Sequence, residues 1–153
     1  MIIDKNVVNK QWSYSSVETI GMPLSRTLEE AKLLMDGQYY TQCLLNENNS
    51  TDFVAGYANS REITINENTY RGYVASVGES SVLMEYDNDI QVAFNKIGLD
   101  FTNYNSFLNY ATSNQSQGVT MWHYRFNQDG GFTEFRTASK VARVYVRAVF
   151  KIE

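Results

Sequence analysis

The sequence predicts an α+β domain in which two or more short helices pack on a twisted antiparallel sheet. Three observations carry this prediction. The length of 153 residues fits one domain. Between residues 27 and 98, apolar side chains recur at helical spacing, and two of these runs begin with a capping signal. From residue 119 apolar side chains recur at every second position, so the predicted strands are concentrated in the C-terminal third.

Residues 1–21 are polar with a tendency to β structure. We expect an N-terminal arm or a first strand here, which serves docking or oligomerisation, and a main domain over residues 22–153. The apolar anchors of the N-terminal segment are Val7, Val8, Trp12, Tyr14 and Val17.

The first helix is predicted from a capping box, Thr27-Leu28-Glu29-Glu30, whose hydroxyl and carboxylate satisfy amides of the first turn. Its apolar stripe continues to Met35, and Gly37 is expected to end it. Residues 40–45 fit either a helix or a strand, and a short helix is expected over about residues 52–59 with Phe53 directed inward.

A second capping box, Ser76-Val77-Gly78-Glu79, begins another predicted helix. Asp87-Asn88-Asp89 interrupts it and is interpreted as the N-cap of a further helix that ends at Gly98. This triplet has oxygen ligands suited to calcium, but it lacks the glycine and the distal glutamate of an EF-hand loop. The expected core stripe of the last helix is Ile90, Ala93, Phe94 and Ile97.

Three strands are predicted after residue 118. In residues 119–126, Trp122 and Tyr124 point to one face while His123 and Arg125 point to the other. A turn over residues 127–131 leads to a second strand over residues 132–136. The last strand has the clearest alternation, with an apolar face made of Ala142, Val144, Val146, Ala148 and Phe150.

Composition excludes several classes of function. The net charge is −4 and no run of Lys or Arg occurs, which argues against a nucleic-acid partner. No apolar stretch is long enough for a signal peptide or a membrane span. The single cysteine, Cys43, and the single histidine, His123, leave no disulfide, thiolate cluster or histidine pair. We therefore predict no cofactor, no metal and no membrane partner.

Signatures of catalysis are also missing. The sequence contains no G-x-S-x-G elbow, no phosphate-binding G-x-x-x-x-G-K and no H-E-x-x-H. Glu79 and Glu85 are interpreted as a helix cap and a solvated residue rather than as paired catalytic carboxylates. The prediction is that the chain is not an enzyme, and a hydrolase or oxidase is the least favoured alternative.

Residues 100–117 have little periodicity and are rich in Asn, Ser and Tyr, which predicts a long solvent-exposed loop with the chemistry of a paratope. A solvated loop without a partner is the alternative. Outward-facing side chains of the following strands are expected beside this loop. The predicted ligand-binding residues are Asn103, Tyr104, Asn105, Asn109, Tyr110, Ser113, Asn114, Gln115, His123, Arg125 and Thr133.

Five segments, in order, resemble the C-type-lectin-like domains related to the formylglycine-generating-enzyme fold. Residues 73–79 are similar to the "lPSlGEl" helix start, residues 89–98 to "aINaAL.kiGG", and residues 109–114 to "YWSSTe". Residues 121–126 are similar to "aWyvnFsnG", and residues 144–149 to "yrVRaV". The resemblance covers residues 22–150. The calcium-lectin pairs (Glu-Pro-Asn, Trp-Asn-Asp) and the cysteines of formylglycine chemistry are absent, so the resemblance implies neither activity.

Such domains occur on gut-bacterial surface proteins, in bacteriophage tail and head-decoration proteins, and among proteins diversified by retroelements. The resemblance therefore implies a binding module of a virion or bacterial surface assembly, which recognises a carbohydrate or protein receptor on a cell surface. The alternative is a structural subunit of a capsid, fibre or fimbria. In that case the same face is buried against other assembly proteins or in a homo-oligomer such as a trimer.

Overall fold

The computed structural model describes residues 1–98, 109–126 and 132–152. Within them the fold is α+β, as predicted, with five helices and nine strands. The helices are α1 (Leu28–Lys32), α2 (Gly37–Glu47), α3 (Val54–Ser60), α4 (Val77–Glu85) and α5 (Asp87–Lys96). The strands are β1 (Ile2–Ile3), β2 (Val8–Gln11), β3 (Glu62–Ile65), β4 (Asn68–Arg71), β5 (Asn109–Gln115), β6 (Thr120–Phe126), β7 (Phe132–Ser139), β8 (Arg143–Val146) and β9 (Val149–Phe150).

The main sheet has five strands in the order β2-β8-β5-β6-β7. Strands β5 and β8 pair in parallel, with Tyr110 opposite Tyr145, whereas the other neighbours are antiparallel. The expectation of a purely antiparallel sheet is therefore wrong. Strand β7 is antiparallel to β6 and so has the direction of β5, and β8 keeps the direction of β7. Strand β8 therefore pairs with β5 in parallel. Two small sheets, β1-β9 and β3-β4, complete the described part of the chain.

The first residues of the chain form strands in two of the sheets. Ile2 pairs with Phe150, and β2 runs along β8 from Val8 to Gln11. Trp12 is completely buried, and its indole N–H donates to the Thr112 carbonyl at 2.7 Å. These contacts favour the first-strand interpretation for residues 1–12, while further along the segment Val17 is 63% exposed.

The first two helices differ in part from the expectation. The capping box of α1 is confirmed, because Glu30 N–H donates to Thr27 Oγ1 and the Glu30 carboxylate accepts from Thr27 N–H. Gly37, however, starts α2 and does not end α1. Asp36 caps α2 by accepting from Tyr39 N–H, and a side chain at Gly37 would collide with the Glu79 carboxylate. Residues 40–45, whose sequence fits either a helix or a strand, lie within helix α2.

The later helices bury less than predicted. The Ser76 capping box of α4 is confirmed. Helix α5 starts at Asp87 after an N-cap at Tyr86 that makes no side-chain cap bond, so the N-cap prediction for the Asp87-Asn88-Asp89 triplet is wrong. Asp87 and Asp89 lie in the first turn, where they complement the helix dipole. Of the predicted stripe only Phe94 is buried. Ile90 is half-buried against the same cluster, whereas Ile97 is 63% exposed.

The apolar face of the last strand is buried as predicted. Val144, Val146, Ala148 and Phe150 are at most 1% exposed, and they pack with Trp12 in the largest apolar cluster. On strand β6, alternate residues enter opposite clusters, since Met121 belongs to this core while Trp122 packs with Ala31 and Val77. The sheet is therefore covered on both faces at β6.

Candidate ligand-binding site

The predicted recognition loop is a strand where the structure describes it. Strand β5 occupies residues 109–115, and the side chains of Tyr110, Ser113, Asn114 and Gln115 are at most 2% exposed. Inside the fold Asn114 Oδ1 and the Gln115 amide have hydrogen-bond partners, whereas Ser113 Oγ and Asn114 Nδ2 have none among the described residues. Asn114 Oδ1 accepts from Val77 N–H at 2.6 Å, at the start of α4. The expectation of a solvent-exposed loop is wrong for these residues, because they are buried in a strand and backbone groups distant in sequence bind the Asn114 and Gln115 amides.

Gln115 joins the N-terminal segment to the sheet. Its Nε2 donates to the carbonyls of Thr19 and Met22, at 3.2 and 2.7 Å, and its Oε1 accepts from Thr19 N–H at 3.0 Å. The same Oε1 accepts from Lys140 Nζ at 2.8 Å. Both residues are completely buried, so this group holds residues 17–22 in place and cannot meet a ligand from solvent.

The remaining predicted residues do not form one open face. His123 is buried, and burial together with the neighbouring Arg125 and Arg136 lowers the pKa of its imidazole to about 4. Arg125 and Asn109 are half-buried, and Arg125 Nη2 lies 2.8 Å from Glu134 Oε1. Thr133 belongs to β7, although its side chain lies outside the described part of the structure. Asn103, Tyr104 and Asn105 also lie outside the described residues.

A concave site instead lies between α2, the end of α3 and the segment that follows β4. This cleft, which we call the amide cleft, has a volume of about 550 Å³. Five of its side chains carry a primary amide. Its lining consists of Gln38, Thr41, Gln42, Leu45, Asn46, Asn49, Asn59, Arg71, Gly72 and Tyr73.

The chemistry of the amide cleft is hydrogen bonding by neutral groups. Each amide offers two donors and one acceptor oxygen. Gln42 Nε2 donates to Asn46 Oδ1 at 3.0 Å, which orients two of these amides along one face of α2. Arg71 adds a guanidinium at the rim, where its Nε lies 3.2 Å from Glu62 Oε1. Among the described residues that line the cleft there is no carboxylate, imidazole or thiol.

A buried hydrogen-bond network fixes the wall of the amide cleft at Tyr73. Tyr73 OH donates to Glu79 Oε1 at 3.1 Å, and Glu79 Oε2 accepts from the N–H groups of Ser76 and Gly37 at 2.8 and 3.2 Å. Burial raises the pKa of the Tyr73 phenol and of the Glu79 carboxyl. Thr41, also in the wall, accepts from Val74 N–H at 3.0 Å. The start of α2 is thereby fixed to the 73–79 segment, so this wall of the cleft is preorganised.

The sequence reasoning missed this site, although a signal was present. Gln38, Gln42 and Asn46 are spaced four residues apart, so a helix over this segment places their amides on one face. That spacing is informative only once residues 40–45 are known to be helical.

No protein-family model, curated protein or solved structure matches the chain. Within the described ranges, no helix combines the length and the apolar character that crossing a bilayer requires.

Proposed function

We propose that this chain is a non-catalytic binding module that recognises a carbohydrate through the amide cleft. The observation that carries the proposal is the convergence of five amide side chains on one cleft of about 550 Å³. Sugar hydroxyls both donate and accept, and side-chain amides do the same, so the two surfaces are complementary. The fixed wall at Tyr73 and Thr41 lowers the entropy lost on binding.

The finer fold assignment, a C-type-lectin-like domain, is part of the proposal. Its support is that the segments carrying the resemblance contact one another. Ser113 N–H donates to the Ala75 carbonyl at 3.0 Å, and Tyr73 N–H donates to the Val149 carbonyl at 2.9 Å. On this proposal the domain belongs to a virion or bacterial surface assembly, and its ligand is a glycan of a cell-surface receptor.

A glycan array followed by calorimetric titration tests the cleft. We expect Gln42→Ala, Asn46→Ala and Asn49→Ala each to weaken binding about five- to ten-fold, since a lost hydrogen bond contributes about 1 kcal/mol. The matched control is Asn88→Ala, an exposed amide on α5 outside the cleft. If the three cleft variants bind the array ligand as tightly as the parent, the site assignment is wrong. If a receptor protein binds at the cleft and no glycan does, the ligand class is wrong.

An exposed apolar surface favours a second candidate function, a structural subunit of an assembly. Val17, Val119 and Val141 are 63%, 57% and 43% exposed. Lys140, which precedes Val141, contacts the segments of the other two valines. Its Nζ donates to the Val17 carbonyl at 2.6 Å, and its backbone N–H donates to the Val119 carbonyl at 3.1 Å. Ile20, on the same N-terminal segment, is 89% exposed. Exposed apolar side chains on adjoining segments favour a protein–protein contact at this surface.

Light scattering across a concentration series distinguishes the two functions. If this surface forms an oligomer, Val17→Ser and Val119→Ser shift the parent from oligomer towards monomer. The control Val92→Ser, on a comparably exposed valine of α5, leaves the mass unchanged. A parent that is monomeric at every concentration contradicts self-assembly through these residues.

A further inference from the structure

A second depression, separate from the amide cleft, carries two arginines. Its volume is about 670 Å³, and it lies over strands β6 and β7 beside the start of α1. The guanidinium-bearing residues are Arg26 and Arg136. The other lining residues are Ser116, Gln117, Thr120, Trp122 and Thr137. We call it the arginine depression, and it shares no lining residue with the amide cleft.

The backbone that carries Arg26 is fixed from both sides. Ser25 Oγ donates to the Gln115 carbonyl at 2.9 Å, and the Trp122 indole N–H donates to the Ser25 carbonyl at 2.8 Å. Arg26 N–H donates to Glu30 Oε2 at 2.7 Å, within the capping box of α1. The exposed Arg26 side chain therefore projects from a rigid base next to a buried tryptophan.

Positive charge in the depression is only partly neutralised. Arg136 is paired, since its Nη2 lies 2.5 Å from Glu134 Oε1. Among the described residues no ion pair involves Arg26, and no carboxylate lines the depression. Two guanidiniums in one concave surface suit a carboxylate, which arginine binds through two parallel N–H groups.

We propose that the arginine depression binds the carboxylate of an acidic saccharide, such as a uronic acid unit. Arg26 and Arg136 hold the carboxylate, while the hydroxyl and amide groups of Thr120, Thr137 and Gln117 contact the sugar hydroxyls. Sugar hydroxyls both donate and accept hydrogen bonds, as these neutral side chains do, so this part of the depression matches a saccharide ring. The site does not depend on the amide cleft.

Calorimetric titration of the full chain with three probes tests this site: trigalacturonate, a neutral galactose trimer and pentaglutamate. We expect trigalacturonate to bind at least about ten-fold more tightly than the neutral trimer. Its affinity should fall as the salt concentration is raised. Arg26→Gln and Arg136→Gln are each expected to weaken trigalacturonate binding about ten-fold. Arg143→Gln is the matched control, since Arg143 is an exposed arginine on the same sheet outside the depression.

Each contrary outcome overturns a defined part of the proposal. Equal binding of the neutral trimer overturns the role of the carboxylate, and pentaglutamate binding as tightly as trigalacturonate overturns the saccharide assignment. Unchanged binding by Arg26→Gln and Arg136→Gln overturns the location. A parent that binds no trigalacturonate overturns the site altogether. Melting temperatures of the variants close to that of the parent establish that the comparison concerns folded protein.

Discussion

Lys140 and His123 are titratable side chains that the fold buries. Lys140 is completely buried, and its Nζ donates to the Val17 carbonyl, Thr19 Oγ1 and Gln115 Oε1 at 2.6, 3.0 and 2.8 Å. Its ammonium lies 5.4 Å from the centre of the Trp12 ring. Burial lowers the pKa of Lys140 to about 8. Three neutral acceptors and a ring face thus stabilise a charge inside the fold.

His123 is the single histidine of the sequence, which makes its titration separable from that of other groups. It is 4% exposed, and among the described residues its Nδ1 has no hydrogen-bond partner. Burial, followed by the charges of Arg125 and Arg136, lowers the pKa of His123 from 6.5 to about 4. The folded protein therefore holds this imidazole neutral in a range where the unfolded chain protonates it.

The free energy of unfolding is expected to fall as the pH drops from 6.5 towards 4. In that window the unfolded state binds more protons than the folded state at His123, so lower pH favours unfolding. Between pH 7 and pH 5 the parent should lose about 2 kcal/mol more than His123→Gln in urea unfolding. The variant is the control, because it retains every carboxylate that titrates in the same range. An imidazole proton resonance of the folded parent that titrates with a midpoint near 6.5 would contradict the buried neutral state.

At the scale of single elements, two capping boxes of the same pattern serve different purposes. The Thr27–Glu30 box is exposed and stabilises only the first turn of α1. The Ser76–Glu79 box is buried, and its carboxylate also accepts from Gly37 N–H and from Tyr73 OH. The second box therefore connects α4, the start of α2 and the wall of the amide cleft.

Glu79→Ala is expected to cost about 3 kcal/mol or more of unfolding free energy, because it leaves three buried donors without an acceptor. Glu30→Ala, the matched change in the exposed box, should cost about 0.5 kcal/mol. Glu79→Gln retains an acceptor oxygen for the two amides and is expected to fall between these values. Urea unfolding of the three variants measures the differences. Equal costs for the two alanine changes would mean that the buried network does not couple these elements.

What the sequence predicts at this scale depends on how local the signal is. Both capping boxes and the alternating last strand were predictable, because the residues concerned lie within a few positions of one another. Strand β5 was not, since its polar side chains bond to groups that are far away in sequence, such as Thr19 and Val77. Without those partners, an Asn- and Ser-rich segment has the composition of a loop. The amide cleft was predictable only in part, from the four-residue spacing of Gln38, Gln42 and Asn46.

At the scale of the whole molecule, the N-terminal strands pair with the C-terminal strands. Strand β1 pairs with β9 and β2 pairs with β8, and between them Asp4 N–H donates to the Ala148 carbonyl. Asp4 is buried and its Oδ2 lies 2.7 Å from Arg61 Nε, at the end of α3. Trp12 then enters the main core beside Val144 and Val146. The segment expected to be an arm or a first strand thus contains an edge strand of the main sheet.

Removal of residues 1–12 is therefore expected to abolish cooperative unfolding and not to release a separable arm. The deletion takes away an edge strand, the Asp4–Arg61 ion pair and the fully buried Trp12 at once. The single change Trp12→Ala should by itself cost about 3–5 kcal/mol, a large part of the stability of a domain of this size. Circular dichroism during thermal unfolding measures both, with Val17→Ser as the control on an exposed position of the same segment. A shortened chain that melts cooperatively at the temperature of the parent would show that residues 1–12 are dispensable for folding, and would restore the docking-arm hypothesis for them.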